Sequence, residues 1–530
     1  MESLLLEMEW APATQKYLDR LWLAANLAKK WGQASVSTEG TLAETLSVGG
    51  ISLWEASAVD FARLYLPTLL DRDFQFRGLL HQFRSRGSTA KHNLLVHREI
   101  RRWVRNSVPL TTAQPLFLGS TEYIYRDVLW PVVLEYGRGQ DATTIYDSVV
   151  WRPAAPAFEG IFESTWQHWL PAVKKRAADF RASVRSLQRG LMGSSEFRKV
   201  FFQDGENVWP WMERILTRMF EVHWPRLARH IAISEHVMAS SKPSVVVSGD
   251  VADPWTRVFC FQARRVGIPS VQVQFGLCGP DSTEWQFCAA DRLLVWGEQS
   301  ANMMELHGVS RRRMSITGSA RHDSSCVQSV SSQQVGLPHG KVAVLFASVY
   351  YLASYDPNST AAVIEQIKTS IIEAAISTPE IFLMIKPHPR EDGDALLRLV
   401  GNRKNITVLD PATDIREFIG LAQVFITFGS TSTVDALIAN KLTVCPLFGE
   451  WCWTDLQMYA NSGATVVVRT AAEIRVLFSR IGAGHVPQMI KALAAARQEF
   501  LIKWTNHADG QSARRVKDAI DGMAHRRLPE

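Results

Sequence analysis

Three short stretches carry residue types that can do chemistry. In IKPHPRED, His388 stands between Pro387 and Pro389 directly after an apolar run. Flanking prolines keep the main chain extended and stiff, so the imidazole is presented rigidly where it can donate to a phosphate oxygen. Lys386 and Arg390 add positive charge on either side, which a nucleotide's phosphates favour. In ITFGSTSTVDALIANK the apolar run breaks at Gly429 and gives Ser430, Thr431, Ser432 and Thr433 before a helical pattern. Hydroxyls and the open N–H groups of a helix start then converge, an arrangement suited to phosphate or carboxylate oxygens. A plain Ser/Thr cap reads the same way, so the stronger signal is the joint one, two such loops on the rim of one crevice. The third stretch is SGDVADPW, with Asp250 closing a strand and Asp253 just before Pro254. A carboxylate there can act as nucleophile or general base at an electrophilic sugar carbon, although Asp253 before a proline is also the expected helix N-cap.

The elements that must hold these loops follow from periodicity. From Pro115 the chain reads PLFLG, a helical stretch over Asp127 to Tyr136, then TTIYDSVVW: strand, helix, strand. The span from Phe158 to Ser240 is helical in pattern and inserts into or flanks that first unit. The rhythm resumes with PSVVVSGD, a helix over Trp255 to Arg265, SVQVQFG and RLLVWG. After a polar linker following SITGSARHD, a second series runs KVAVLFAS, a helix from Thr360 to Ser377, EIFLMIKPHP, ITVLDP, VFITFGSTST and LTVCPLFG. Alternating strands and helices give a parallel sheet, and ligands of such sheets sit beyond the strands' carboxyl ends. The expected fold class is therefore α/β, two Rossmann-like doubly wound domains facing across a cleft. The expected segments are a helical region over 1–110, a first domain over 111–330 with a helical insertion at about 155–240, and a second domain over 331–530 ending in helices.

Composition excludes other classes. Of 530 residues, 46% are hydrophobic and 21% charged, which suits ordinary buried cores rather than a disordered or disulfide-stapled chain. The net charge of +6 is too dilute to imply nucleic-acid binding. Glu2, Glu7 and Glu9 interrupt the amino-terminal apolar residues, unlike a signal peptide, and the most apolar run, Val342 to Tyr355, is too short to span a bilayer. Six cysteines show no ligand spacing, so neither a metal site nor a disulfide framework is expected. The expectation is a cytoplasmic protein, at most peripheral to the inner membrane. Arg84 to Arg105 holds seven Lys/Arg against Glu99 and could face anionic lipid, or be a solvated helix face. Twelve of the 18 tryptophans precede residue 230, suited to stacking on sugars, to a membrane interface or to core packing. No GxxxxGK[ST], GxGxxG or GxSxG motif sits at the strand ends.

Taken together, His388-Pro389, Ser430 to Thr433 and the series GIPSVQVQFG, VWG and SITGSARHD resemble the two-domain GT-B glycosyltransferases. More narrowly they are similar to bacterial CMP-sugar transferases, sialyltransferases and the transferases of 3-deoxy-manno-octulosonic acid (Kdo), over roughly residues 113 to 470. This chain departs from the pattern with Phe275-Gly276 where many relatives have a histidine before the glycine, and with TGSAR in place of a TGNPR-like turn. The resemblance implies that His388, Pro389, Lys386, Arg390, Gly429 and Ser430 to Thr433 hold CMP, and that Asp250, with Asp253 beside it, does the chemistry. The residues at and just after the strand ends, Gly119, Glu122, Gly276, Gly318, Arg321, Ser348 and Glu450, are expected along the cleft. The implied reaction moves an ulosonic acid from a CMP donor to a surface or lipid-linked glycan, with no cofactor and no metal. Other readings are a CDP-glycerol-type polyol-phosphate transferase, a UDP-sugar epimerase, or a non-catalytic glycan-binding scaffold.

Overall fold

The computed structural model describes residues 113–524 apart from internal stretches, of which the longest are 147–160, 324–332 and 350–359. The expected helical region 1–110, and with it the basic segment Arg84 to Arg105, lies outside the described residues.

Two parallel sheets form. The first comprises β1 (Leu116–Gly119), β2 (Thr143–Tyr146), β3 (Ile161–Ser164), β6 (Val246–Ser248), β7 (Ser270–Val273), β8 (Arg292–Val295) and β9 (Met314–Ile316), in the order β3-β2-β1-β6-β7-β8-β9. A two-stranded hairpin, β4 (Phe202–Gln203) with β5 (Glu206–Asn207), stands apart from it. The second sheet comprises β10 (Val342–Ala347), β11 (Ile381–Lys386), β12 (Ile406–Val408), β13 (Val424–Thr427), β14 (Leu442–Pro446) and β15 (Val466–Val468), in the order β12-β11-β10-β13-β14-β15. Central strands such as β11, IFLMIK, are buried along their whole length because helices cover both faces of a parallel sheet. Alternation sorts the side chains: Leu116 and Leu118 enter one core of the first sheet, Phe117 the opposite one. In the second sheet Val344 and Phe346 oppose Ala343 and Leu345 in the same way.

Each sheet winds outward from its first strand in both directions, so the order reverses between β1 and β6 and again between β10 and β13. At such a reversal the connections leave to opposite sides and open a crevice at the strands' carboxyl ends. On the first sheet, helix α1 (122–134) starts there and contains a π-turn, Tyr125–Leu129, that buries Tyr125, Asp127, Val128 and Leu129. It lies against the end of β6 because residue 249 is glycine; a Cβ there would meet Ile124 Cγ2 at 2.9 Å.

Five strands escape the sequence reading, among them β4 and β5, two residues each, inside the stretch expected to be a helical insertion. β3 falls within the stretch expected to be a helical insertion; at four residues, two of them partly exposed, it is an edge strand too short to register against its helical surroundings. β9 and β15 are three residues each. The helical character of the insertion is otherwise found at Pro171–Gly193 and Trp224–Ser241. Four tryptophans, Trp224, Trp255, Trp285 and Trp296, are fully buried core residues. No helix among the described residues is long and apolar enough to cross a membrane.

The last helix crosses back to the first sheet. Its Ala513, Val516 and Ile520, at helical spacing, pack with Phe117, Val247 and Leu294, Tyr136 Oη donates to Asp521 at 2.8 Å, and Arg515 Nε donates to Thr317 O at 2.8 Å. Just before it, the main chain of Lys503 and Trp504 lies so close to Gly297 that a Cβ would stand 2.5 Å from Lys503 O. Ile520→Ala is expected to cost about 2–5 kcal/mol, as for a buried large-to-small change, read as a lower denaturation midpoint monitored by near-UV circular dichroism; an unchanged midpoint would mean the helix contributes nothing to the first lobe.

Candidate functional site

On the second lobe, two of the expected loops leave the sheet on either side of β10. After β13, Gly429 takes φ +92°, a conformation that favours glycine, and its N–H donates to Thr427 Oγ1 at 3.1 Å. Thr427 and Thr433 share a buried hydroxyl hydrogen bond at 3.1 Å, and Ser430 and Ser432 share one at 2.8 Å. Thr433 and Ser432 are buried, whereas Ser430 is exposed and Thr431 half-buried. Thr431 stands at the cap of the helix Ser432–Ile438 yet makes no side-chain capping bond. Its Oγ1 instead lies 3.6 Å from where a Cβ would sit on Gly276 of the first lobe. After β11, the His388 side chain is exposed and Pro387 buried. Lys386 turns away from the crevice, donating Nζ to Pro387 O at 3.1 Å and Pro411 O at 2.8 Å, and burial pushes its pKa down. At the end of β10, between the two loops, Ser348 donates to Glu391 Oε1 at 2.9 Å. A hollow of about 450 Å³ adjoins on the far side, lined by Glu391, Gly393, Leu397, Val408, Leu409, Asp410 and Pro411. Pro389, Arg390 and Glu450 lie outside the described residues.

On the first lobe, Leu118 lies opposite Ser248 in register, so the chain leaves β1 and β6 side by side. Asp250 is half-buried there; its Oδ1 accepts the Asp253 N–H at 3.2 Å and its carbonyl accepts the Thr256 hydroxyl at 2.7 Å. Asp253 caps the helix Pro254–Arg265, accepting the Trp255 N–H at 3.2 Å, which is the role its place before a proline suggests. Glu122 is exposed at the start of α1 and Gly119 is buried at the end of β1. Gly318, at φ +84°, has no side-chain space because Ser512 Oγ would lie 2.5 Å from a Cβ, so it serves the docking of the last helix.

Arg321 belongs to an ionic cluster that joins the lobes. Asp127 in α1 accepts from Arg416 Nη2 at 2.7 Å, Arg126 Nε at 2.9 Å and Arg321 Nη1 at 3.1 Å. Arg321 reaches Asp435 at 3.3 Å, and Arg416 is also held by Asp414 at 2.5 Å. Asp127 and Arg321 come from the first lobe, Arg416 and Asp435 from the second. The Asp127, Asp435, Arg321 and Arg416 side chains are only 4–13% exposed. His322 lies against the cluster, with Nε2 3.4 Å from Asp435 Oδ1, Nδ1 2.7 Å from Ser319 Oγ and its ring edge-on to Trp296. Burial, then the Arg321 and Arg416 guanidiniums, hold its pKa well below the ordinary value, while burial pushes the Asp435 carboxyl up. Of these residues only Arg321 is legible beforehand; Asp127 and Arg416 are 289 residues apart, and no local pattern links them.

No family model matches the sequence, and no curated protein matches it by sequence. Solved structures share its architecture. A protein of Listeria monocytogenes described as a UDP-N-acetylglucosamine 2-epimerase has a TM-score of 0.50 at 12% identity, covering 78% of this chain and 96% of its own. The UDP-GlcNAc 2-epimerase of Neisseria meningitidis, bound to UDP-GlcNAc, has a TM-score of 0.48 at 13% identity over 77% and 100% of the two chains. A glycotransferase of kitacinnamycin has 0.44 at 14% over 78% and 99%. The protein is thus a two-domain α/β chain of GT-B-like fold; the strand rhythm led us to expect the two Rossmann-like sheets, and the motif resemblance their GT-B arrangement.

The His322 environment sets a pH dependence. Below about pH 6.5 the unfolded imidazole takes up a proton that the buried one refuses, so stability falls as pH drops, by at most about 1.4 kcal/mol per pH unit. The raised Asp435 carboxyl has the opposite sign, its charged form being the penalised one. Urea unfolding at pH 7.5 and 5.5 should show wild type losing more stability on acidification than His322→Gln; equal losses would place the proton elsewhere.

Proposed function

We propose that the protein is a nucleotide-sugar enzyme that binds its donor in the interlobe crevice, the donor phosphate lying between the His388 imidazole and the Ser430 and Thr431 hydroxyls. The observation that carries this reading is placement. Both loops flank β10 at the point where the second sheet reverses, and Thr431 faces Gly276 across the cleft. The adjoining hollow, with Leu397, Val408 and Leu409 along it, suits a flat base.

The charge supply favours a donor with one phosphate. Among the described residues Lys386 is committed to two carbonyls, and Arg321 and Arg416 to carboxylates, so the imidazole and hydroxyls, with Arg390 beside them in sequence, are the groups proposed to bind the anion. A CMP-activated ulosonic acid has that leaving group, and its oxocarbenium-like transition state suits a carboxylate opposite. Asp250, at the reversal point of the first sheet, is the proposed general base or nucleophile; Asp253 keeps Asp250's loop in shape as it caps its helix. The chain's own groups thus divide the work: the second lobe holds the leaving phosphate, and the first presents the base and the glycan acceptor. A second reading, a UDP-sugar epimerase, is favoured by the described activity of the Listeria neighbour.

Titration calorimetry with CMP, UDP and CDP-glycerol separates these. CMP binding that weakens at least tenfold in His388→Ala, with CMP-Kdo or CMP-sialic acid turnover lost in Asp250→Asn, is the expected result. Selective UDP binding with interconversion of UDP-GlcNAc would select the epimerase. Glycan binding with no nucleotide bound at millimolar concentration would leave only a scaffold.

A further inference from the structure

We propose that Glu391 is the positioning residue for His388, holding it through its main chain; this rests on the reading of His388 as the phosphate-binding group. Four contacts on one carboxylate residue carry the inference. Glu391 Oε2 accepts the His388 N–H at 3.1 Å, and the Glu391 N–H donates back to His388 O at 2.8 Å. Glu391 Oε1 accepts from Lys368 Nζ at 2.6 Å and from Ser348 Oγ at 2.9 Å. One side chain therefore ties the histidine to the helix Thr360–Ile376, which carries Lys368, and to the end of β10.

The prolines explain why the tie falls where it does. Neither Pro387 nor Pro389 has an N–H, so within Pro-His-Pro the His388 amide is the one main-chain donor that a carboxylate can grip. Burial gives the pair its precision. The Glu391 and Lys368 side chains are 8% and 7% exposed, and withdrawing two charges from water is costly unless geometry and further hydrogen bonds offset it. An apolar pair would fill the same space more cheaply. What the ions add is direction: charge-assisted bonds of fixed geometry on both oxygens, so the exposed imidazole sits on a main chain with little freedom. A group prearranged in this way binds an anion without paying to order itself on binding.

The test is a double-mutant cycle on nucleotide affinity together with exchange at the His388 amide. In protein labelled with 15N-histidine, the His388 amide, assigned by its loss in His388→Gln, should exchange with solvent at least tenfold faster in Glu391→Ala. CMP affinity should fall roughly tenfold, the size of coupling found within one hydrogen-bond network, and that loss should vanish when Glu391→Ala is placed in the His388→Ala background. Glu391→Gln keeps an oxygen that can accept the amide and should recover part of both effects; it also serves as the variant if Glu391→Ala does not fold. Unchanged exchange in a folded variant, or an affinity loss that persists without His388, overturns the proposal. If wild type binds no nucleotide, the reading of the site fails instead, and exchange at the His388 amide still decides whether Glu391 holds it.

Discussion

The structure depends on charge exchanged between its two lobes. Asp127 of the first lobe receives Arg416 of the second, and Asp435 of the second receives Arg321 of the first. With Arg126 and Asp414 the cluster balances three guanidiniums against three carboxylates, so no counter-ion is required to neutralise it. Such a cluster adds little net stability compared with an apolar interface, because desolvation offsets the attraction. Removing one member is another matter, since it leaves a buried charge without its counterpart. The pairs therefore define a relative placement of the lobes more than they strengthen it.

That placement reaches the candidate site through one short helix. Ser432–Ile438 carries Asp435 in its first turn and follows directly on the Ser430–Thr431 turn. The helix that meets Arg321 is thus the one that brings the Thr431 hydroxyl to Gly276. The carboxyl-terminal chain acts beside the same cluster: the helix Ala494–Thr505 packs on Ser432–Ile438, Lys503 and Trp504 lie against Gly297, and the last helix completes a first-sheet core next to Ala320–His322. A lobe that borrows a core helix from beyond its partner cannot separate far without exposing Val516 and Ile520, both fully buried.

Much of the fold was legible because buried parallel strands announce themselves as unbroken apolar runs with small residues after them. VAVLFA, IFLMIK and VFIT stand out for that reason. The short strands MSI and VVV at the far edges of their sheets and the edge strand IFES do not, since they bury too little to leave a pattern. The site divides along the same line. His388 and Ser430 to Thr433 are visible because a loop's chemistry is written in consecutive residues. Asp127, Arg416 and Lys368 are invisible because their partners are distant in the chain, and an isolated Asp or Lys in a helix reads as a solvated face. Lys386 shows the converse error, a cation adjacent to the motif in sequence whose side chain is spent on carbonyls beneath it.

The distribution of cations then bears on what the crevice can hold. Beside one imidazole, a few hydroxyls and the start of the helix Ser432–Ile438, the nearby cations among the described residues, Lys386, Arg321 and Arg416, are already committed. Releasing Arg321 or Arg416 to a ligand would strand Asp127 or Asp435 in a buried setting, so recruiting them would work against the lobe contact that brings Thr431 to Gly276. Lys368 is similarly fixed beneath the His388 loop by Glu391. The crevice is thus built with its strong ion pairs turned inward, to hold loops and lobes, and its weaker donors turned outward. That division leaves the ion pairs to fix the framework and the hydroxyls of the Ser430–Thr431 turn open at its edge.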